Sequence, residues 1–435
     1  MFEVRLARAM SKTVGGGTPE RDNPEFWNGG IPWASVKDFR DGSYKLTTTK
    51  EEISEKGLKL SASHLIPAGT PIICTRMAVG RIARADRDVA INQDLRALYV
   101  NDHFDASYLI LAVDSIRPQI ENLAVGSTVK GINIAHLLDF EIFGPPKPEQ
   151  SKIAEILSTV DQAIEQTEAL IAKHQRIKTG LMQDLLTRGV DEHGNLRSEE
   201  THGFKDSPLG RIPKDWKVQK IADLLADVDP PMRSGPFGSA LLKEELVDSG
   251  VPLLGIDNVF PETFVRNYSR FVHPRKAEML KRYRVRPGDI MITIMGTVGR
   301  CCVVPDDIGI ALSSKHVWTI SLDRKAYSPY LACLQINYAP WVLRHFANDE
   351  QGGIMAAIKS DTLRSTLLPV PPPEEMDIIA ERMRAISSEV QNKLTIFQKL
   401  RSLKAALMQD LLTGRKRVTD LLASKPMREK VYAGQ

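Results

Sequence analysis

The chain has 435 residues, a hydrophobic fraction of 42%, a charged fraction of 26% and a formal net charge of +4. These values are typical of a globular protein of two or three domains, and no run of about 18 apolar residues is available for a transmembrane helix. The four cysteines have neither CxxC spacing nor a neighbouring histidine cluster, which argues against a zinc site or a disulfide framework and favours a reducing cytoplasm.

Residues 1–144 are predicted to form a first globular domain. Turn-forming residues are dense in the run GGGTP at 15–19 and in the run NGGIP at 28–32. Strand-like runs follow at 70–75 and 95–100, and a mixed helical run lies near residue 110. This alternation predicts a mixed α/β domain built on a twisted sheet.

Residues 145–189 are predicted to form a long helix that needs a partner helix. Two prolines precede it and Gly189 ends it, the usual punctuation of a helix. About 40 helical residues extend about 60 Å at about 1.5 Å per residue. The apolar residues recur at steps of four and three, which is a heptad seam. The seam positions are Ile153, Leu157, Val160, Ile164, Ile171, Leu181 and Leu185.

The partner helix lies in the same chain, at residues 371–414. The run LMQDLLT occurs at 181–187 and again at 407–413, a shift of 226 residues (407 − 181 = 226). Lys178 and Lys404 occupy matching polar positions of the two seams, where a lysine can extend towards solvent or set the helix alignment at some cost in stability. The chain therefore contains an internal repeat, and each half ends in a long helix. The same shift places the second seam at Ile379, Met383, Ile386, Val390, Phe397, Leu400, Leu407 and Leu411.

The remaining segments complete this repeat. Residues 190–215 are polar and turn-rich, which is typical of a linker. Residues 216–370 repeat the first domain with drift, since PAGTPIICTRMAVGR at 67–81 corresponds to PGDIMITIMGTVGR at 287–300. Residues 415–435 form a basic tail. An antiparallel helix pair brings the end of the first helix close to the start of the second domain. We therefore predict an α+β fold: two mixed α/β domains joined by two long helices that form an antiparallel coiled coil with a pseudo-twofold internal repeat.

This doubled layout resembles the specificity subunit of type I DNA restriction–modification enzymes. The resemblance rests on PPxPEQxxIAxxL at 145–157, the LMQDLLT helix ends, GRIPKDW at 210–216 and GPFG at 235–238, and it covers essentially the whole chain. In that family two target recognition domains alternate with two long helices that pack as a coiled coil. The resemblance implies that the two globular domains here are target recognition domains and that the helices are spacers.

The family's properties set further expectations. Each recognition domain is expected to read one half of a split double-stranded DNA sequence from the major groove, and the helix pair to hold the half-sites about one helical turn, or about 34 Å, apart. Family members have no catalytic activity of their own, and we expect this chain to bind no cofactor. They recruit two methyltransferase subunits, which use S-adenosylmethionine, and two restriction (motor–nuclease) subunits, which use ATP and Mg²⁺. The expected location is the cytoplasm, without membrane attachment.

Nine polar residues in turns and loops are candidates for DNA contact. An arginine beside a glycine turn suits phosphate clamping or a bidentate contact with guanine. The turn GIP at 30–32 corresponds to GVP at 250–252, and Asn or Asp after these matched Gly-x-Pro turns suits an adenine or cytosine edge. For each of them, a solvated surface position is an open alternative. The candidates are Lys37, Arg76, Arg81, Lys130, Arg233, Asn258, Arg300, Lys315 and Lys359.

The sequence carries no catalytic or metal-binding motif. The phosphate loop GxxxxGK[ST] and the motifs HExxH and GxSxG are all missing. The run DPPM at 229–232 lacks the aromatic fourth residue of an adenine methyltransferase motif, so we interpret it as a turn. We therefore predict a non-catalytic DNA-recognition subunit. A free-standing DNA-binding regulator and a protein-binding scaffold stay open as alternatives, and an autonomous nuclease or methyltransferase fits the missing motifs least.

Overall fold

The computed structural model describes residues 3–126, 130–350 and 358–423, so the end of the predicted basic tail lies outside the described residues. The chain divides into two compact units. The first comprises residues 1–170 together with 393–435, and the second comprises residues 171–392. Each unit contains one globular domain and one part of each long helix.

The globular domain of the first unit contains, within its described residues, two main sheets and four short α-helices. Its larger sheet has the strand order β2-β10-β7-β8-β4, its smaller one β5-β3-β9-β6, and β1 pairs with β11. The strands are β1 (Glu3–Arg5), β2 (Met10–Gly15), β3 (Trp27–Ala34), β4 (Lys45–Leu46), β5 (Glu51–Ile53), β6 (His64–Ile66), β7 (Pro71–Cys74), β8 (Ile82–Ala85), β9 (Val89–Ile91), β10 (Leu95–Val100) and β11 (Glu141–Phe143). The helices are α1 (Glu55–Lys59), α2 (Ala106–Ser115), α3 (Arg117–Leu123) and α4 (Ile134–Leu138), and the long helix α5 (Lys147–Thr187) begins here.

The second unit repeats this plan. Four-stranded sheets have the orders β15-β24-β21-β22 and β16-β20-β17-β23, and the pairs β12-β13, β14-β25 and β18-β19 complete it. The strands are β12 (Phe204–Ser207), β13 (Gly210–Pro213), β14 (Lys217–Lys220), β15 (Met232–Ser234), β16 (Leu246–Val247), β17 (Val251–Leu254), β18 (Val259–Phe260), β19 (Thr263–Phe264), β20 (Phe271–Val272), β21 (Ile290–Thr293), β22 (Cys301–Val303), β23 (Leu312–Ser313), β24 (Val317–Ile320) and β25 (Leu367–Val370). The helices are α6 (Pro274–Met279), α7 (Pro329–Tyr338), α8 (Pro340–Glu350), α9 (Ser360–Ser365) and the long α10 (Pro373–Leu412).

The central strand of each domain is apolar on both faces because each face covers a different core. In β7, Ile73 packs in the core that includes the long helices, whereas Ile72 packs in a separate core. In β21, Ile292 packs in the core that includes the long helices, whereas Met291 packs in a separate core. Side chains of a strand alternate between its two faces, so a continuous apolar run is what a strand between two cores requires. The two domains thus share their organisation as well as their sequence pattern.

The long helices are antiparallel, as predicted. In the first unit, Leu411 near the end of α10 shares a core with Ile153 near the start of α5. In the second unit, Leu185 near the end of α5 shares a core with Ile379 near the start of α10. Every predicted seam position is buried or partly buried, and Thr167 at the polar midpoint is also buried.

Each long helix begins with a buried glutamate that binds the segment following the end of the other helix. In the first unit, the Glu149 side chain is 1% exposed. It accepts hydrogen bonds from Arg417 at 2.7 and 2.6 Å and from the backbone N–H of Val418 at 3.3 Å. Val418 directly precedes the short helix α11 (Thr419–Ala423). We call this set the Glu149 contact.

The matching position of the second helix, 226 residues later, is Glu375, and its contact is more extensive. Its carboxylate accepts from the backbone N–H of Val190 at 2.8 Å, from Trp216 Nε1 at 3.0 Å and from Arg197 at 3.0 Å. Val190 and Trp216 are each 1% exposed. Gly189, with φ of 65°, turns the chain at the end of α5 so that Val190 reaches this glutamate. We call this set the Glu375 contact.

Residues 190–215, predicted as a linker, are more ordered than a linker requires. They contain the hairpin β12-β13, and Val190 and Ile212 belong to the main core of the second unit. The connection is therefore a packed part of that unit.

Candidate nucleic-acid interface

A glycine-containing hairpin loop occurs at the same place in both domains. It lies at 75–81 between β7 and β8, and at 294–300 between β21 and β22. The N–H of Cys74 donates to the carbonyl of Arg81 at 2.8 Å, and the N–H of Thr293 donates to that of Arg300 at 2.9 Å. The loops also match in backbone conformation. Each has two residues with positive φ, three positions apart: Met77 and Gly80 in the first loop, and Gly296 and Gly299 in the second.

Other loops are joined to each hairpin loop by backbone hydrogen bonds. In the first domain, Thr75 N–H donates to the carbonyl of Asp94 at 2.8 Å and Met77 N–H donates to that of Lys130 at 2.9 Å. In the second domain, Ile294 N–H donates to the carbonyl of His316 at 3.1 Å. We call each assembly a loop cluster: residues 75–81, 92–94 and 130–132 in the first domain, and residues 294–300 and 314–316 in the second.

The structure brings two predicted DNA-binding residues together in the first loop cluster. Arg76 forms a β-bridge with Gly131, next to Lys130. Both cations are exposed; the Arg76 guanidinium lies 3.9 Å from Asp94 and its side chain is 57% exposed. Exposed cations on adjoining backbone segments suit contact with DNA phosphates.

Three further candidates are exposed at separate places. Lys37 lies in a single 3-10 turn after β3, Lys315 lies in the second loop cluster, and Lys359 directly precedes α9. The glycine turn at 235–238 adjoins Lys315, since Ser234 Oγ donates to the Lys315 carbonyl at 3.4 Å. The exposure of these three lysines is compatible with DNA contact, and that role stays a prediction for each of them.

Arg81 and Arg300 occupy matching positions but differ in their surroundings. Arg81 donates to Asp41 at 2.5 Å and to the carbonyl of Phe39 at 3.2 Å. Arg300 instead stacks over the ring of Phe260, with its guanidinium carbon 5.4 Å from the ring centroid. Both are partly buried, so one loop position is anchored by an ion pair in one domain and by a cation–π contact in the other.

Arg233 is a correction to the sequence-based candidates. Its side chain is 2% exposed and forms an ion pair with Asp289, which is equally buried. It also donates to Ser321 Oγ at 3.0 Å and to the carbonyl of Arg284 at 2.7 Å. Burial raises the pKa of Asp289 and lowers that of Arg233. With its donors bound and no access to solvent, Arg233 is a structural residue rather than a DNA contact.

Asn258 is a second correction, because it is 1% exposed. Its side-chain oxygen accepts from Gly255 N–H at 2.9 Å, and its amide donates to the carbonyls of Val265 and Asn267 at 2.9 and 3.1 Å. Asp38 has the corresponding role in the first domain, where its carboxylate accepts from the backbone N–H of the residue three positions earlier at 2.8 Å. These side chains therefore cap 3-10 turns and do not present hydrogen-bonding groups to a base.

In the first unit, the seam lysine Lys404 connects the helix pair to the domain. It pairs with Asp161 of α5 at 2.6 Å, and its ammonium lies 4.7 Å from the ring centroid of Tyr44. Tyr44 in turn donates to Asp114 at 2.8 Å. From the sequence, both solvent extension and helix alignment were open roles for this lysine. In the structure only 15% of its side chain is exposed, and it pairs with an acid.

Lys178 has the same role in the second unit. It pairs with Glu262 of the globular domain, and 18% of its side chain is exposed. Tyr338 donates to the same carboxylate at 2.7 Å, and Ser387 of α10 donates at 3.2 Å. Each domain is thus joined to its part of the helix pair by a lysine, a tyrosine and a carboxylate. The sequence clue was the matched spacing of the two lysines.

The described residues offer no alternative centre for metal chemistry or membrane insertion. Within 3–126, 130–350 and 358–423, no three His, Cys, Asp or Glu side chains are grouped to hold a metal ion. Over the same ranges, no helix combines the length and the apolar character needed to cross a bilayer. The four cysteines are free and buried.

Comparison with known proteins finds similarity along nearly the whole chain. Residues 9–173 match a family model described as "Type I restriction modification DNA specificity domain". A Methanocaldococcus jannaschii protein, "Type I restriction enzyme MjaIX specificity subunit", is 22% identical over 97% of this chain and 94% of its own length. The Escherichia coli "Type I restriction enzyme EcoR124I/EcoR124II specificity subunit" is 31% identical over 37% of this chain and 41% of its own length.

Solved structures share the fold. The crystal structure of a type I restriction–modification S subunit from M. genitalium matches with a TM-score of 0.61 at 15% identity, over 94% of this chain and 95% of that one. A chain from a structural study of type I R-M complex assembly matches with a TM-score of 0.53 at 16% identity, over 95% and 98%. At these identities, the likeness concerns the arrangement of two mixed α/β domains and paired long helices.

Proposed function

We propose that the chain is a specificity subunit of the type I restriction–modification family and that each globular domain reads one half of a bipartite DNA target through its loop cluster. The paired helices set the distance between the half-sites and provide the docking region for methyltransferase subunits. The chain acts in the cytoplasm and has no catalytic activity of its own. Catalysis belongs to partners: two methyltransferase subunits using S-adenosylmethionine and two restriction subunits using ATP and Mg²⁺.

The observation that carries this proposal is the duplicated loop cluster. The same backbone hydrogen bonds hold the hairpin loops at 75–81 and 294–300, yet the side chains at matching positions differ: the exposed Arg76 of the first loop corresponds to the partly buried Met295 of the second. A shared scaffold with different exposed side chains supports two readers of the same kind with different targets. Each long helix contributes residues to both units, which supports a spacer role for the helix pair.

The test is to co-express the chain with its methyltransferase subunit and to map methyladenine across the host genome. We expect a split motif with a fixed gap of unspecified bases. Exchange of residues 216–370 for the corresponding segment of another family member should change one half-site and leave the other intact. A change in both halves, or no methylation by a folded and assembled complex, would count against the proposal.

A further inference from the structure

Met77, at the tip of the first hairpin loop, combines backbone strain with an exposed apolar side chain. Its φ is 63°, in the left-handed region that is unfavourable for a long side chain. It is 64% exposed, so burial of the side chain does not compensate for the strain. The corresponding residue of the second loop is Gly296, with φ of 74°, which adopts this conformation readily. Strain that the fold does not need is concentrated at functional sites in proteins.

The neighbours of Met77 are the two cations of the first loop cluster. Its backbone N–H donates to the carbonyl of Lys130, and Arg76 precedes it in the chain. Val125, which is 79% exposed, pairs with Gly131 in the same cluster. In the function proposed above these cations hold the DNA backbone, and the adjacent apolar tip is placed to contact a base. Methionine is flexible and polarisable, which suits such a contact.

We propose that Met77 is a specificity-determining residue of the first domain and that its side chain contacts the methyl group of a thymine in the half-site which that domain reads. The proposal rests on the function proposed above. A thymine methyl is the apolar feature of the major groove that distinguishes A·T from the other pairs. Contact removes both apolar surfaces from water, and this gain offsets the strain held in the free loop. Gly296 provides no such contact in the second domain.

The test uses the full chain in complex with its methyltransferase subunit and duplexes carrying the mapped motif. Met77→Ala and Met77→Gly should both weaken binding by about 4- to 15-fold, the loss of one to two buried methyl-sized groups. Met77→Gly should leave the Tm unchanged or raise it by about 2–4 °C, because glycine relieves the strain. Leu60→Ala is the matched control, since Leu60 lies in the same domain and is 66% exposed. The complex with this variant should bind DNA as the unaltered complex does.

Deoxyuridine substitution identifies the methyl group directly. Replacing each thymine of the half-site in turn should weaken binding by the unaltered complex about fourfold at one position, and Met77→Gly should be insensitive to the substitution there. If Met77→Ala and Met77→Gly bind within twofold of the unaltered complex, or if no thymine methyl is coupled to Met77, the assignment is wrong. A complex that neither binds nor methylates DNA before any substitution would instead overturn the proposed function.

Discussion

Removal of the buried glutamate at the start of α10 should destabilise the second unit more than the matched change destabilises the first. In Glu375→Ala, the backbone N–H of Val190 and the indole N–H of Trp216 lose their shared acceptor, and both groups are buried. A buried donor left unpaired costs about 1–3 kcal/mol. Arg197 keeps a second partner, Asp215, at 3.1 Å. Two unpaired donors therefore predict a loss of about 2–5 kcal/mol of unfolding free energy.

Glu149→Ala should cost only about 1–2 kcal/mol, although the two glutamates are equivalent in the repeat. One buried donor, the Val418 N–H, is left unpaired, and its bond to Glu149 is already long at 3.3 Å. The Arg417 side chain is 34% exposed, so water can solvate it in the Glu149→Ala variant. Glu375→Ala should therefore lower the free energy of unfolding more than Glu149→Ala, because it leaves two buried donors unpaired and Glu149→Ala leaves one.

Hydrogen exchange measured on peptides that contain Val190 and Val418 reports each contact locally, and urea denaturation gives the free energy of unfolding. A loss of 2 kcal/mol corresponds to about 30-fold faster exchange. Glu374→Ala, which removes an exposed carboxylate from the same helical turn, is the control and should cost less than about 1 kcal/mol. If Glu149→Ala costs as much as Glu375→Ala, the account of unpaired donors is wrong.

The remaining predictions concern pH, ion pairs, DNA affinity and spacing. Arg417 lowers the pKa of Glu149 below 4.5, so the pH-dependent part of the Glu149 contribution to stability is complete above pH 4.5 and is lost as the pH falls through the folded pKa. Burial raises the pKa of Glu375 above 4.5, so the pH-dependent part of the Glu375 contribution is complete below pH 4.5 and is lost as the pH rises through the folded pKa. This part is separate from the acceptor role that Glu375→Ala removes. Hydrogen exchange between about pH 3 and pH 7, corrected for intrinsic rates, should show these opposite trends. Replacement of either glutamate by glutamine should remove the pH dependence of exchange at that contact. Lys404→Met should cost about 1–3 kcal/mol in urea denaturation by leaving a partly buried carboxylate unpaired; an unchanged midpoint would exclude a stabilising role. Arg76→Ala should weaken binding to all DNA sequences and reduce the salt slope by about 1 in titrations at several salt concentrations, whereas a change confined to one base pair would mean that this arginine reads a base. One heptad added to both long helices should widen the methylated gap by about 3 base pairs, from about 10 Å of added helix, and an unchanged gap would refute the spacer role.

The fold was predictable from the sequence because its main feature is periodic. A shift of 226 residues aligns two seams that are buried as predicted, and the direction of the helices followed from the order of the segments. Local rules also located the hairpin loops, since PAGTPIICTRMAVGR and its counterpart contain the same turn glycines. These features depend on residues that are close together in the sequence.

The candidate site was predictable only in part because burial of a polar side chain depends on distant partners. Arg233 meets an aspartate 56 residues later and a carbonyl 51 residues later, and no local pattern distinguishes it from an exposed arginine. Asn258 was recoverable, because its spacing from Gly255 matches a capping turn and the equivalent Asp38 has the same spacing from its own partner. For Arg76 and Lys130, only the fold brings together residues that lie far apart in the sequence.

The discontinuous first unit has a consequence for the order in which the chain can mature on the ribosome. The second unit is a single stretch, residues 171–392, and can close as soon as it has emerged. The first unit needs residues from both sides of that stretch, since Glu149 and Arg417 are 268 positions apart. Translation at about 5–20 residues per second separates these partners by on the order of 10–50 s. During that interval the apolar seam around Ile153 is exposed on the first domain. A chain that terminates early therefore has an incomplete first unit, and chaperones and proteases can recognise its exposed apolar face.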